Sequence, residues 1–62
     1  MAAYDTFATF NDALTEAERT GVKELTSSRR DELLNARSED ARVRLVTSYI
    51  EEVKEWLRKV GR

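Results

Sequence analysis

Residues 38–61, SEDARVRLVTSYIEEVKEWLRKVG, carry the longest amphipathic pattern in the chain. At 100° per residue, the apolar side chains between residues 45 and 60 fall within an arc of about 140°. Residues 46, 49, 53, 56 and 60 also alternate steps of three and four, the spacing of a coiled-coil seam, over about two heptads. The pattern predicts one long helix over residues 39–60 whose apolar face packs against other helices.

Residues typical of helix caps mark both the start and the end of this helix. The hydroxyl of Ser38 can accept a hydrogen bond from a free backbone N–H of the first turn. Gly61 can adopt the left-handed conformation that often follows a helix. Arg42 interrupts the apolar face near the helix start, so we expect it to extend to solvent, or to stack on Tyr4 or pair with Asp5.

The remainder of the chain predicts two further helices and an all-α fold, because strong breaker residues occur only at helix ends. Helix 1 is predicted over residues 3–19 and closes at Gly21 with a positive φ. Helix 2 is predicted over residues 22–36, short or bent near 26–28, because consecutive hydroxyl side chains compete for backbone hydrogen bonds. The predicted apolar face of helix 1 comprises Ala3, Tyr4, Phe7, Phe10, Leu14 and Ala17.

These elements predict a single helical domain, residues 1–62, with a small three-helix arrangement. Helices 1 and 3 are expected to be the main packing pair, with helix 2 lying across them. The alternative is an open helical hairpin that completes its core only in a dimer. A chain of 62 residues buries a modest fraction of its surface, so association would add stability.

The composition argues against an enzyme and against a bound cofactor. The chain has no Cys and no His, which removes disulfides, ordinary zinc sites and the commonest acid–base and nucleophilic groups. The carboxylate pairs Asp12/Glu16 and Glu51/Glu55 have helical spacing, but without further ligands they are expected to be solvated rather than metal-binding. We therefore expect no metal, no cofactor, no catalytic residues and no small-molecule substrate.

No apolar run approaches the length of a membrane span, and the polar face of the long helix has mixed charges. No basic region precedes an apolar one at the N-terminus, so a secretory signal is not expected. The sequence therefore predicts no membrane partner and a cytoplasmic location.

Charge patterning argues against nucleic acid as the main partner. The formal net charge is −1, and the central basic residues alternate with acidic ones. The alternative function is a small nucleic-acid-binding regulator with a helix-turn-helix-like element over residues 10–36. Its second helix would run from 22 to 36, with Ser27, Arg29 and Arg30 near its surface.

The leading prediction is a non-enzymatic protein-binding or assembly module that self-associates. The long helix is expected to extend beyond helix 1, which would leave apolar side chains near its end available for contact. The predicted partner-binding residues are Tyr49, Val53, Trp56, Leu57 and Val60. In size and composition the chain resembles small helical proteins of phages and other mobile elements, many of which bind a larger protein as inhibitors or structural components.

Overall fold

The computed structural model describes residues 2–60, which form four helices and, within that range, no strand. The helices are α1 (Ala3–Ala13), α2 (Glu16–Gly21), α3 (Lys23–Asn35) and α4 (Glu39–Val60). The predicted small all-α fold is confirmed, and α1, α3 and α4 supply its three-helix arrangement. The short α2 connects α1 to α3. No helix within residues 2–60 is long and apolar enough to cross a membrane.

α4 begins where the apolar pattern predicts and continues to Val60, the last residue that the structure describes. Ser38 caps it, because its Oγ accepts a hydrogen bond from the backbone N–H of Ala41 at 3.1 Å. The first residue of α4, Glu39, also reaches the start of α1, where its carboxylate accepts the backbone N–H of Ala3 at 2.8 Å. The predicted terminating residue Gly61 lies outside the described residues.

Arg42 is partly exposed, and its hydrogen bonds go to neither Tyr4 nor Asp5, the predicted partners. Its Nε donates to the Glu39 carboxylate at 3.0 Å, and its Nη1 donates to the Ala36 carbonyl at 3.2 Å. The guanidinium therefore fastens the connection between α3 and α4 to the first turn of α4.

The prediction of one helix over residues 3–19 is wrong, because the chain breaks after Ala13. Leu14 is extended, with ψ of 148°, and is buried in the core. Thr15 then starts α2 with a capping box, in which its hydroxyl accepts the Glu18 N–H while the Glu18 carboxylate accepts the Thr15 N–H. The break turns Ala17, predicted to be on the apolar face, toward solvent.

The predicted left-handed conformation of Gly21 is also wrong, since no residue in 2–60 has a positive φ. Gly21 is the last residue of α2, and the Trp56 indole lies against it. A Cβ at this position would overlap the indole Cη2. Glycine is therefore required here for close packing rather than for backbone conformation.

α3 runs without interruption through residues 26–28, so the predicted bend is absent. The hydroxyl of Thr26 is engaged by the hydroxyl of Tyr49 on α4 at 2.8 Å. This bond gives Thr26 a partner other than its own backbone, which removes the competition that argued against a continuous helix.

The core is closed within one chain, and α4 lies at its centre. Tyr49 is fully buried and its ring packs 4.9 Å from that of Phe7 and 5.9 Å from that of Phe10. α4 packs against α1 and α3 to a comparable extent. The predicted main pair, helices 1 and 3, corresponds to α1 and α4, so it is one of two comparable contacts. The buried residues are Ala3, Phe7, Leu14, Val22, Leu33, Val46, Tyr49 and Val53.

Candidate functional site

The structure separates the five predicted partner-binding residues into core and surface. Tyr49 and Val53 are fully buried. Trp56 and Leu57 are half-buried and pack against the edge of the core, whereas Val60 is 59% exposed. Within this set, the surface accessible to a partner is therefore limited to parts of Trp56 and Leu57 and most of Val60.

Trp56 is covered on one side by the junction of α2 and α3. Its indole contacts Gly21 and, with residues 20–25, lines an open groove of about 470 Å³. The sequence predicts this side chain beyond the end of helix 1, with only Gly21 and Val22 nearby. The capped start of α2 redirects the chain, and Gly21 lies against Trp56.

A second groove, which we call the α1/α4 groove, runs between those two helices. It has a volume of about 150 Å³ and is lined by Ala3, Thr6, Val43, Val46, Thr47 and Ile50. None of these side chains is charged, although charged residues make up 37% of the chain. Val43 is 48% exposed and Ile50 is partly exposed. The groove is therefore an accessible uncharged strip, partly apolar and partly threonine, on a highly charged molecule.

Helical spacing extends this strip along α4. Val43, Ile50 and Leu57 are seven residues apart, and two turns of helix bring each of them back to nearly the same side. Val43 and Ile50 are not among the predicted partner-binding residues, because that prediction rested on the coiled-coil spacing of residues 46, 49, 53, 56 and 60. The parallel row at 43, 50 and 57 was the available signal.

The two ends of α4 carry opposite charges beside this strip. Asp40 and Arg58 are 18 residues apart, which is five full turns, and so share one side of the helix. Arg58 is well exposed and pairs with Glu55 at 2.6 Å. Negative charge at the start of α4 and positive charge at its end also match the helix dipole.

Arg29, like Arg42, is held by hydrogen-bonding partners within the fold. Arg29, whose side chain is only 12% exposed, donates to the Leu45 carbonyl at 3.2 Å and pairs with Glu52 at 3.0 Å and Glu32 at 3.3 Å. The hydrogen bond from Arg29, with a second from Ser48, holds the pKa of Glu52 below its ordinary value. The Arg29 side chain is thus mostly buried, whereas the helix-turn-helix-like alternative expects it near the surface.

Glu39 is the other carboxylate whose pKa is lowered. The backbone N–H of Ala3 is the largest cause, followed by the hydrogen bond from Arg42. The ionised carboxylate therefore joins the start of α1 to the start of α4.

A third groove, which we call the basic groove, lies where α1, α2 and α3 meet. It has a volume of about 340 Å³. It is lined by Asn11, Asp12, Arg19, Lys23, Thr26, Ser27 and Arg30. Three cationic side chains share this groove with one carboxylate. It belongs to the 10–36 segment, in which α2 and α3 are joined through Val22.

No group of three or more acidic side chains in residues 2–60 is arranged to hold a metal ion. The pairs Asp12/Glu16 and Glu51/Glu55 accordingly gain no third carboxylate from the fold. Besides the groove beside Trp56, the structure thus has two accessible surfaces of different chemistry, the uncharged α1/α4 groove and the basic groove.

Comparisons of the chain with protein-family models, with curated proteins and with solved structures find no match.

Proposed function

We propose that this protein is a non-enzymatic assembly module that binds a second copy of itself through the α1/α4 groove. The observation that carries the proposal is an accessible strip without charged side chains on a chain of which 37% is charged. The roles of cytoplasmic component and of structural or inhibitory protein of a phage or other mobile element remain hypotheses that rest on size and composition.

An antiparallel pairing of two α4 helices fits the apolar row. With Ile50 on the two-fold axis, Val43 of one copy faces Leu57 of the other, and the arrangement repeats on the opposite side of the axis. Such a self-complementary contact is the usual geometry of a homodimer. The partly exposed surface of each apolar residue is removed from water, at about 25 cal/mol per Å² of apolar area.

Charge complementarity favours the antiparallel direction over the parallel one. The antiparallel pairing brings Asp40 at the start of one α4 near Arg58 at the end of the other, and the two helix dipoles oppose each other. A parallel pairing would align like charges at both ends. The charge pattern therefore supports one register and one direction for the second copy.

The size of the available face is consistent with a modest dimer. The Cα extents of 36 and 20 Å limit the whole projected face to roughly 700 Å², below the ~800 Å² per partner of a standard interface. We expect the interface to cover part of this face, and the association to be reversible.

The matched test compares two exposed apolar residues, Val43 in the groove and Leu34 on α3, which is 68% exposed. Val43→Glu and Leu34→Glu each add one negative charge at a site that the core does not use. By sedimentation equilibrium over about 10 µM to 1 mM, a range that captures weak interfaces, we expect dimers for the wild type and Leu34→Glu and monomers for Val43→Glu. A wild type that stays monomeric throughout would overturn the proposal.

A charge exchange tests the register. Asp40→Arg alone should weaken the dimer, because it places two cations together, and Asp40→Arg with Arg58→Asp should restore it. Asp40→Arg with Lys59→Asp is the control, since it has the same net charge but places the new carboxylate on another side of α4. Equal rescue by both pairs would exclude this register.

The alternative function, nucleic-acid binding through the 10–36 segment, has less support. Arg29 and Arg42 are held in ion pairs, which leaves a small set of cations on the face of α2 and α3. We therefore expect no measurable affinity for duplex DNA near physiological salt. A tight gel shift that weakens steeply with added salt would reverse this preference.

A further inference from the structure

We infer that the basic groove binds a phosphate group, at a site separate from the α1/α4 groove and independent of self-association. Arg19, Lys23 and Arg30 line the groove with Ser27, whose hydroxyl can donate to a ligand, and with Thr26, whose hydroxyl proton is directed to Tyr49. Cationic and hydroxyl donors are the groups that bind phosphate oxygens in proteins.

Arg19 is already positioned for this role. Its Nη1 donates to the carbonyl of Asn11 at 3.2 Å and to that of Asp12 at 3.5 Å, at the end of α1. Within residues 2–60, these are the hydrogen bonds of its guanidinium, so the Nε and Nη2 donors are available to a ligand. Because the fold fixes the guanidinium in advance, binding costs less side-chain entropy.

Asn11 contributes a neutral donor through a hydrogen-bonded chain of side chains. Tyr49 donates its hydroxyl proton to Oδ1 of Asn11, so the hydroxyl of Thr26 must act as donor to Tyr49. This fixes the direction of the Asn11 amide. Its Nδ2 group has no acceptor among the described residues, and Asn11 is one of the residues that line the groove.

Lys23 and Arg30 supply unneutralised charge. Neither forms an ion pair within the described part of the chain, in contrast to Arg29, Arg42 and Arg58. The single carboxylate of the groove, Asp12, leaves an excess of two positive charges. The net attraction is therefore for an anion, although the whole chain has a formal charge of −1.

The dimensions favour a small phosphate-bearing ligand over a duplex. A volume of about 340 Å³ lies at the lower end of the ~300–1,000 Å³ typical of small-molecule sites. Three cations around one small groove suit a single phosphate-bearing ligand, whereas a duplex presents phosphates spaced along its length. Free phosphate and the phosphate of a nucleotide share this chemistry.

The test is an amide-resolved NMR titration of the wild-type chain with potassium phosphate, with ionic strength held constant by potassium chloride. We expect saturable shifts at Asn11, Arg19, Lys23 and Ser27 that chloride alone does not produce. A parallel titration with a nucleoside monophosphate separates the two sources, because contacts beyond the phosphate would make the nucleotide bind more tightly. An absence of saturable shifts with both ligands would overturn the proposal.

Variants assign the site. Lys23→Ala with Arg30→Ala should weaken phosphate binding by about tenfold or more, as expected for the loss of two charge-assisted contacts. Arg44→Ala with Lys59→Ala removes the same charge outside the groove and should bind as the wild type does. Equal loss in both double variants would show a general charge effect and overturn the assignment.

Asn11→Asp offers a further test that conserves shape. It keeps an oxygen acceptor for Tyr49 but replaces the amide donor with a negative oxygen, so phosphate binding should be abolished while circular dichroism is unchanged. Undiminished binding in this variant would contradict the proposed role of the Asn11 amide.

Discussion

α4 continues for 22 residues without a break, whereas the chain between Leu14 and Val22 turns twice around the six-residue α2. α4 is specified by a repeating pattern, in which each turn adds another apolar residue to the same face. The corner at 14–22 is specified by single contacts, namely the Thr15–Glu18 capping box and the packing of Gly21 against Trp56. A patterned element therefore tolerates a local change better than an element that depends on one contact.

The largest effect is expected at Tyr49, where the patterned helix meets the other two. Tyr49→Phe keeps the ring but removes the hydroxyl that bonds Thr26 and Asn11. Leaving half-buried polar partners unsatisfied should lower the free energy of unfolding by about 1–3 kcal/mol. Urea unfolding measures this change, with Tyr4→Phe as control because Tyr4 is a half-buried tyrosine outside this hydrogen-bonded chain. Equal losses in both variants would mean that the Tyr49 hydroxyl has no special role.

Gly21→Ala is expected to have the next largest effect, and its sign should depend on Trp56. In the wild type the added Cβ meets the indole, and overpacking of about 1–3 kcal/mol exceeds a helix-propensity gain of up to about 1 kcal/mol. In a Trp56→Ala background the obstacle is absent, so Gly21→Ala should be stabilising. Destabilisation in both backgrounds, measured by urea unfolding midpoints, would indicate a backbone requirement for glycine instead.

Removing either of two helix caps should have a smaller effect. Thr15→Ala removes one bond of a reciprocal pair at the corner, and Ser38→Ala removes a single bond at the start of α4, each at a cost of about 1 kcal/mol. Ser38→Asp should be nearly neutral, because aspartate caps as well as serine. If Ser38→Asp were as harmful as Ser38→Ala in thermal or urea melts, the cap assignment at Ser38 would fail.

The smallest predicted effect is a dependence of stability on pH. The folded-state pKa values of Glu39 and Glu52 lie below the ordinary 4.5, so each ionised carboxylate stabilises the fold above that pH. This contribution is lost as pH falls below about 4.5 through the folded-state pKa. For the exposed Glu52 pair it should stay below about 1 kcal/mol.

Glu52→Gln should therefore flatten the acid limb of the stability curve relative to the wild type. Glu51→Gln is the matched control, because Glu51 neighbours Glu52 on α4 but forms no ion pair within residues 2–60. Urea unfolding at a series of pH values below neutrality measures both. An unchanged acid limb in Glu52→Gln would rule out this ion pair as a source of pH dependence.

The sequence by itself determined the all-α class, the start of α4 and the Ser38 cap, because these depend on helical periodicity and on hydrogen bonds within one turn. It also contained the capping box at Thr15–Glu18, but the apolar spacing of Leu14 fits a continuous helix as well as a break. For the candidate surface, the predicted partner-binding residues include Leu57 of the 43–50–57 row, and the sequence contained that row without showing which row would be covered.

Only the tertiary structure decided which apolar residues became core. Tyr49 and Val53 are buried because α1 and α3 both pack on the same side of α4, while Val43 stays exposed at the edge of α1. The continuity of α3 likewise depends on α4, since Thr26 finds its partner in Tyr49, 23 residues away. The role of Gly21 depends on an indole from the other end of the chain. Periodicity assigns a residue to one side of its own helix, but a contact between helices is fixed only when both surfaces are in place.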